Sequence, residues 1–311
     1  MSKRPISLII DDGGVINTFF FHDLSHRHEF LVPPAFAMQF GKICQKYGVK
    51  GKLSVVPMPC GLGRLDEPGK VNMVPEENVH AFIDYTKKYI MPNFSITPEL
   101  LTHFLAWNMK NNCKESFLEN SFIDRLNAEE VADYIGSALQ ILVNCGLTPE
   151  GVTSPWTTGR NTVDAYSRGI GMACKRVLGL DRTFYFCGEP FTPRPVVRCD
   201  SAESGKVVQI SHRSRDPFWG TMNPATTEEA HIAGRQGIDN LISEDGRSGL
   251  LRELYEAGEP LVFLTHWQSL YSDGRAIGLY WFEELLQRLQ RVFGKDIEWV
   301  TTRELAEIYC P

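Results

Sequence analysis

Two aspartates and two glycines, Asp11-Asp12-Gly13-Gly14, close the first apolar run of the chain, Ile6-Ser7-Leu8-Ile9-Ile10. The run is too short for a helix and reads as a buried strand that delivers acid side chains to its own carboxyl end. Side chains alternate along a strand, so at most one acid faces a barrel axis unless the chain bends, and Gly13-Gly14 permit a bend. The plainer alternative is that the two acids cap the next segment or form an Asx turn. Glu99 and His103 are four apart, the spacing that sets two side chains one above the other on a helix. With Asp12 they compose an Asp/Glu/His set for a divalent metal ion with positions left open for water. Such an ion would relieve the repulsion among gathered carboxylates, whereas the pair alone would be a surface hydrogen bond. His22, Asp23, His26 and His28 offer a different metal site in the aromatic segment after the first strand. His266 ends a second strongly apolar run, Pro260-Leu261-Val262-Phe263-Leu264-Thr265.

The elements that must position these groups alternate in type. Strands are expected at 6–10, 52–57, 94–96, 151–156 (the last running into a loop), 182–187, 206–211, 260–267 and 297–301, and helices at 34–47, 76–89, 127–144, 162–178, 249–257 and 278–293. Thr97 as N-cap and Pro98 at the first helical position predict one more helix, carrying Glu99 and His103 on one face. Alternation of this kind implies a parallel sheet, and seven or eight units favour a closed α/β barrel over an open sheet. An open doubly wound sheet should show a glycine-rich phosphate loop, and neither G-x-G-x-x-G nor G-x-x-x-x-G-K-[ST] occurs here. In barrels the catalytic groups sit at the carboxyl ends of the strands. Asp11, Asp12, Glu99, His103, Thr153, Arg213, Arg215 and His266 all fall at or just after those expected ends.

With 311 residues, 43% of them hydrophobic, the chain can bury a large core, and no low-complexity stretch divides it, so one domain over 1–311 is expected. A net charge of −6 and the absence of a basic run argue against a nucleic-acid partner. No apolar run approaches a membrane span and Met1-Ser2-Lys3-Arg4 leads straight into the first strand, so a cytoplasmic protein without a membrane partner is expected. The eight cysteines are scattered with no C-x-x-C pair and read as reduced and mostly buried.

The ordered motifs Leu8-Ile9-Ile10-Asp11-Asp12-Gly13, Glu99-Leu100-Leu101-Thr102-His103, Thr153-Ser154-Pro155-Trp156 and Leu264-Thr265-His266 resemble those of the polysaccharide deacetylase (NodB-homology) family. The resemblance implies a distorted (β/α)7-8 barrel and a metal-dependent hydrolase that removes an acyl group from an N-acylated sugar or related small amide. It implies Asp11 as general base, Asp12, Glu99 and His103 as ligands of a zinc, manganese or similar divalent ion, and His266 as general acid. Trp156, Trp219 and Trp267 could stack on a carbohydrate or small-molecule substrate, with Arg213 and Arg215 beside them; packing the lid of a core is the plainer role for the tryptophans. Two positions depart from the family pattern. Glu99 stands where a histidine is usual, which weakens the metal as a Lewis acid, and Thr153 stands where an arginine commonly opens the third motif. Arg160, Arg213 or Arg215 could supply that cation. The departures keep two other readings open, an inactive barrel that binds a carbohydrate or small molecule and a hydrolase of other non-peptide C–N bonds.

Overall fold

The computed structural model describes residues 3–188 and 191–311. In chain order the described strands are β1 (Arg4–Gly13), β2 (Gly51–Val55), β3 (Phe94–Pro98), β4 (Leu105–Asn108), β5 (Cys113–Leu118), β6 (Gly151–Ser154), β7 (Arg182–Cys187), β8 (Val196–Ser201), β9 (Gly205–Ile210), β10 (Leu261–His266) and β11 (Ile297–Trp299). One parallel sheet runs β10-β1-β2-β3, and β11 pairs with the first residues of β1. A second runs β6-β7-β9, with β8 added antiparallel at its edge. The two sheets meet through single parallel bridges, Ile96 to Pro149 and Glu99 to Thr153. On the opposite side, the Leu264 amide donates to Ser214 Oγ, just past β9, at 2.7 Å. The result is an α/β wall of seven parallel strands in which regular pairing lapses at two seams.

Period-two alternation sorts the side chains of these strands into two environments. Leu8, Ile10, Leu53, Ile96, Val152, Tyr185, Val207 and Phe263 join the large core under the surrounding helices. Ile9, Phe184, Phe186, Val208, Ile210, Val262 and Leu264 form a separate inner cluster. Leu305 and Ala306 of the last helix, Thr302–Tyr309, close that cluster from one end. The inner positions of β2 and β3 are polar and buried: Lys52, Ser54, Ser95 and Thr97, with Thr153 facing them from β6. Lys52 Nζ lies 4.7 Å from the Phe186 ring centroid, so β2 and β7 meet across a filled interior. Half of the interior is hydrocarbon and half is a hydrogen-bonded polar layer.

Three helices follow the pattern in the sequence closely: Ala35–Tyr47, stopped by Gly48 at φ 66°, Ala128–Asn144 with an Asn127/Glu130 capping box, and Val163–Leu178. Others depart from it. The stretch after β3 is not a helix. The Glu99 amide donates to Val55 O and the Leu100 amide to Thr153 O, which extends the sheet by one step, and the chain then turns through Leu100 and His103 at positive φ. Helix Thr227–Leu241 escapes the sequence reading because Gly234 and Gly237 interrupt its pattern; both exist for contact, against Trp281 and the Pro217 carbonyl. The final strand ends at Trp299, since Thr301 caps the last helix with Glu304.

The bend at the end of β1 falls on Asp12 itself, at φ 64°, a conformation that Asp tolerates better than most residues. Gly13 is required for a different reason: a Cβ there would lie 2.4 Å from Ser54 O in the next strand. Gly13→Ala should therefore cost about 2 kcal/mol through forced displacement of two paired strands, read from the urea midpoint at unchanged m-value.

Candidate active site

β1 and β10 are in register through Asp11 and His266, so two functional groups start as neighbours on adjacent strands. The bulge after Ile10 brings Asp12 into the same place. Its amide donates to Glu99 Oε2 at 2.6 Å and to Ser54 Oγ at 3.2 Å, and Ser54 Oγ donates to the same Glu99 oxygen at 2.6 Å. One donor atom each from Asp12, Glu99 and His103 lies within 4.8 Å of the others, and all three side chains are buried. Asp12 Oδ1 and His103 Nε2 are paired at 2.9 Å, while Asp12 Oδ2 and His103 Nδ1 are buried without a hydrogen-bond partner. Buried lone pairs with no donor are the expected state of a metal-binding set, because leaving them unsatisfied otherwise costs a full desolvation penalty. The set predicted on a helix thus assembles on a loop.

The electrostatics are those of a cluster with too many acids. Burial, then the charges of Asp12 and Asp11, push Glu99 up to about 8. Burial works against a charged His103, yet Asp12 and Glu99 outweigh it and hold its pKa up at about 10. Burial also opposes ionisation of Asp12, and His103 more than reverses that, holding the carboxyl well below its usual range. Protons on Glu99 and His103 balance the cluster, and a divalent ion that replaces them must release them.

Two partners of these groups carry no motif in the sequence. Lys52, completely buried, pairs its ammonium with Asp11 Oδ1. Lys52 is thus a cation at Asp11, while Arg213 and Arg215 are exposed, Arg213 over the Phe191 ring. Thr153 is instead hydrogen-bonded to Thr97 at 2.8 Å. Glu119 is completely buried and holds the loop that carries His103. Its Oε1 accepts from the amides of Leu101 and Thr102 and from the Tyr134 hydroxyl, and its Oε2 from the His103 amide, all at 2.7–2.9 Å. Successive amides around one carboxylate form an anion nest.

His266 Nδ1 lies 2.8 Å from Asp216 Oδ2, and Asp216 is itself fixed by the His266 amide, the Phe218 amide, Thr265 and Ser269. Burial opposes protonation of His266, but the Asp216 hydrogen bond and charge raise its pKa to about 9. Asp216 follows β9 in an irregular stretch, and a lone Asp before Pro217 gave no signal of this role.

The aromatic residues divide. Trp156 is 40% exposed and stacks on His103, centroids 4.6 Å apart, while Trp219, also 40% exposed, stands edge-on to His266 at 5.1 Å. Trp267 is 1% exposed, packed among Phe36, Phe40 and Phe82, with its Nε1 donating to Gly14 O. An apolar ring so enclosed is core, and cannot meet a substrate. His22 separates from its expected companions: its ring lies 5.3 Å from that of His103, and burial and the His103 charge hold it neutral, with a pKa lowered to about 4.

This α/β fold recurs among solved structures. Two solved structures share it: a Mycobacterium smegmatis protein named as a polysaccharide deacetylase, at a TM-score of 0.53 and 12% identity over 99% of this chain and 91% of that one, and Puue allantoinase, at 0.51 and 9% over 97% and 89%. The likeness establishes the fold, the distorted α/β barrel of the deacetylases. No family model and no curated protein matches the sequence. No helix among the described residues is long and apolar enough to cross a membrane.

Glu119→Gln turns one acceptor into a donor facing N–H groups, so it should lower stability by about 1–3 kcal/mol and weaken metal binding through the displaced His103. Tyr134→Phe, which removes a single hydrogen bond, should cost about 1 kcal/mol and leave metal affinity within twofold. Urea unfolding and metal titration of the two variants separate these effects.

Proposed function

We propose that the protein is a metal-dependent hydrolase that removes an acyl group from an N-acylated sugar or a related small amide. The observation that carries the reading is the meeting, at one end of the barrel, of an Asp12/Glu99/His103 donor set, the Asp11 carboxylate and the His266–Asp216 pair. When bound by Asp12, Glu99 and His103, a divalent ion supplies Lewis acidity, which polarises the scissile carbonyl and eases loss of a proton from water. Two anionic ligands and one imidazole suit manganese or magnesium better than a two-histidine set does, while zinc still binds tightly.

The remaining work falls to the chain's own groups. Lys52 engages Asp11 Oδ1, which fixes the carboxylate and leaves Oδ2 without a partner among the described residues. Asp11 takes the proton from the attacking water through that free oxygen. His266, oriented by Asp216 and protonated below about pH 9, gives a proton to the departing nitrogen. Trp156 and Trp219 flank these groups with exposed faces on which a sugar ring can stack. The allantoinase likeness supports a second reading on the same machinery, hydrolysis of a non-peptide C–N bond in a small amide.

Chelated and reloaded protein should release acetate from N-acetylated sugar oligomers, or ammonia or amine from small amides, only with a divalent ion present. Asp11→Asn should lower kcat by a factor of about 100 or more with metal content unchanged. Equal turnover by parent and variant would remove the general-base role, and product release independent of metal would remove the mechanism.

The raised pKa of His266 sets a sign for the pH profile. The acid form is complete well below pH 9 and is lost as pH rises through about 9, so amide turnover should fall on that alkaline limb. Asp216→Asn removes the group that raises the pKa while burial still lowers it, so the limb should move down by more than one pH unit. Activated esters, whose leaving group needs no proton, should show neither limb nor shift.

A further inference from the structure

We propose that Asp23, His26 and His28 form a second metal site, for a borderline divalent ion such as zinc, in the segment that follows β1 and stands beside the candidate active site. Asp23 Oδ2 lies 3.0 Å from His26 Nδ1 and 3.3 Å from His28 Nε2, and one donor atom from each residue lies within 4.8 Å of the others. The His28 side chain is 1% exposed, although it belongs to an otherwise exposed loop.

The far side of the His28 ring shows what this geometry suits. Nδ1 lies 3.1 Å from Asp273 Oδ2, and Asp273 is anchored in turn by Asn17 Nδ2 and the Glu29 amide, each at 3.3 Å. A carboxylate that accepts one ring N–H fixes the tautomer and aims the lone pair of the other nitrogen outward, the arrangement by which proteins orient a metal-binding histidine. Asp23 is prepared similarly: its Oδ1 accepts from the amide and hydroxyl of Ser25, which leaves Oδ2 to face the two imidazoles. The other nitrogen of His28, Nε2, is turned to Asp23 Oδ2, 3.3 Å away, where it can meet an ion. With one, a neutral His28 keeps Asp273 and gives Nε2 to the metal. Two imidazoles and one carboxylate form a donor set for zinc or a neighbouring transition ion, softer than Asp12/Glu99/His103.

The ion would act on a segment in contact with the aromatic residues of the candidate active site. Asp23 directly follows the short helix Phe19–His22, whose Phe19 ring stands 4.9 Å from Trp219 and whose His22 ring lies 5.0 Å from Phe104 and 5.6 Å from Trp156. The segment is closed at its base by the Asn17 amide on Phe30 O and by a bridge from Ile16 to Leu31. An ion at Asp23 ties its outer end to Asp273 through His28.

The test is zinc stoichiometry and affinity on full-length protein stripped with chelator, reloaded with zinc and desalted. An Asp12→Ala background leaves only the proposed site. That protein should retain one zinc, X-ray absorption should show two imidazoles around it, and adding His26→Ala should weaken it at least tenfold. The His26 side chain is 46% exposed, so His26→Ala in the parent should remove one equivalent without loss of fold, even if Asp12→Ala does not fold. Zinc bound by the parent but unaffected by Asp23→Ala and His26→Ala overturns the proposal, as does a parent that binds none. Zinc lost with Asp23→Ala but retained with Asp12→Ala supports it while removing the proposed catalytic metal, so the two readings fail separately.

Discussion

Three carboxylates, Asp11, Asp12 and Glu99, are buried beside one another at the end of the barrel, and the surrounding structure compensates for them. Unpaired, each would cost several kcal/mol. Lys52 answers Asp11 from the adjacent strand, His103 answers Asp12 from the loop after β3, and the Asp12 amide and Ser54 hydroxyl answer Glu99. This requirement explains why half of the interior is polar. It also explains why Gly13 must let β1 and β2 approach closely, since the hydrogen bonds from Asp12 and Ser54 converge on a single oxygen.

One device recurs in the molecule. A buried or half-buried carboxylate holds in place a histidine, or the backbone beneath it, at each candidate site. Glu119 grips the backbone beneath His103, Asp216 holds Nδ1 of His266, and Asp273 holds Nδ1 of His28. Each leaves the working nitrogen of its histidine directed away from the anchor. Such supports restrict ring orientation, which is what a metal ligand or an acid needs to act at one fixed point.

Glu99 is integrated into the site as an acid. Its carboxylate is bound by an amide and a hydroxyl that a neutral imidazole could not engage in the same way, so the site is built around the acid. Thr153 is equally integrated, through Thr97 on the facing strand, and Lys52 of β2 is the cation that pairs with Asp11.

The alternation of buried strands with amphipathic helices and the carboxyl-end placement of Asp11, Asp12, Glu99, His103 and His266 were legible in the sequence. These depend on period and local composition, which a linear chain displays. Only the tertiary structure decided that Glu99 and His103 meet on a loop, because competition between a helix and one further sheet bridge is settled by Val55 and Thr153, distant in sequence. It alone placed Lys52 on Asp11, Glu119 under His103 and Asp216 on His266, since a single charged residue in a strand or loop has no periodic signature. It also sent Trp267 into the core and divided His22 from His26 and His28. Burial and pairing are set by which strands lie side by side, and that is a property of the assembled sheets rather than of any segment.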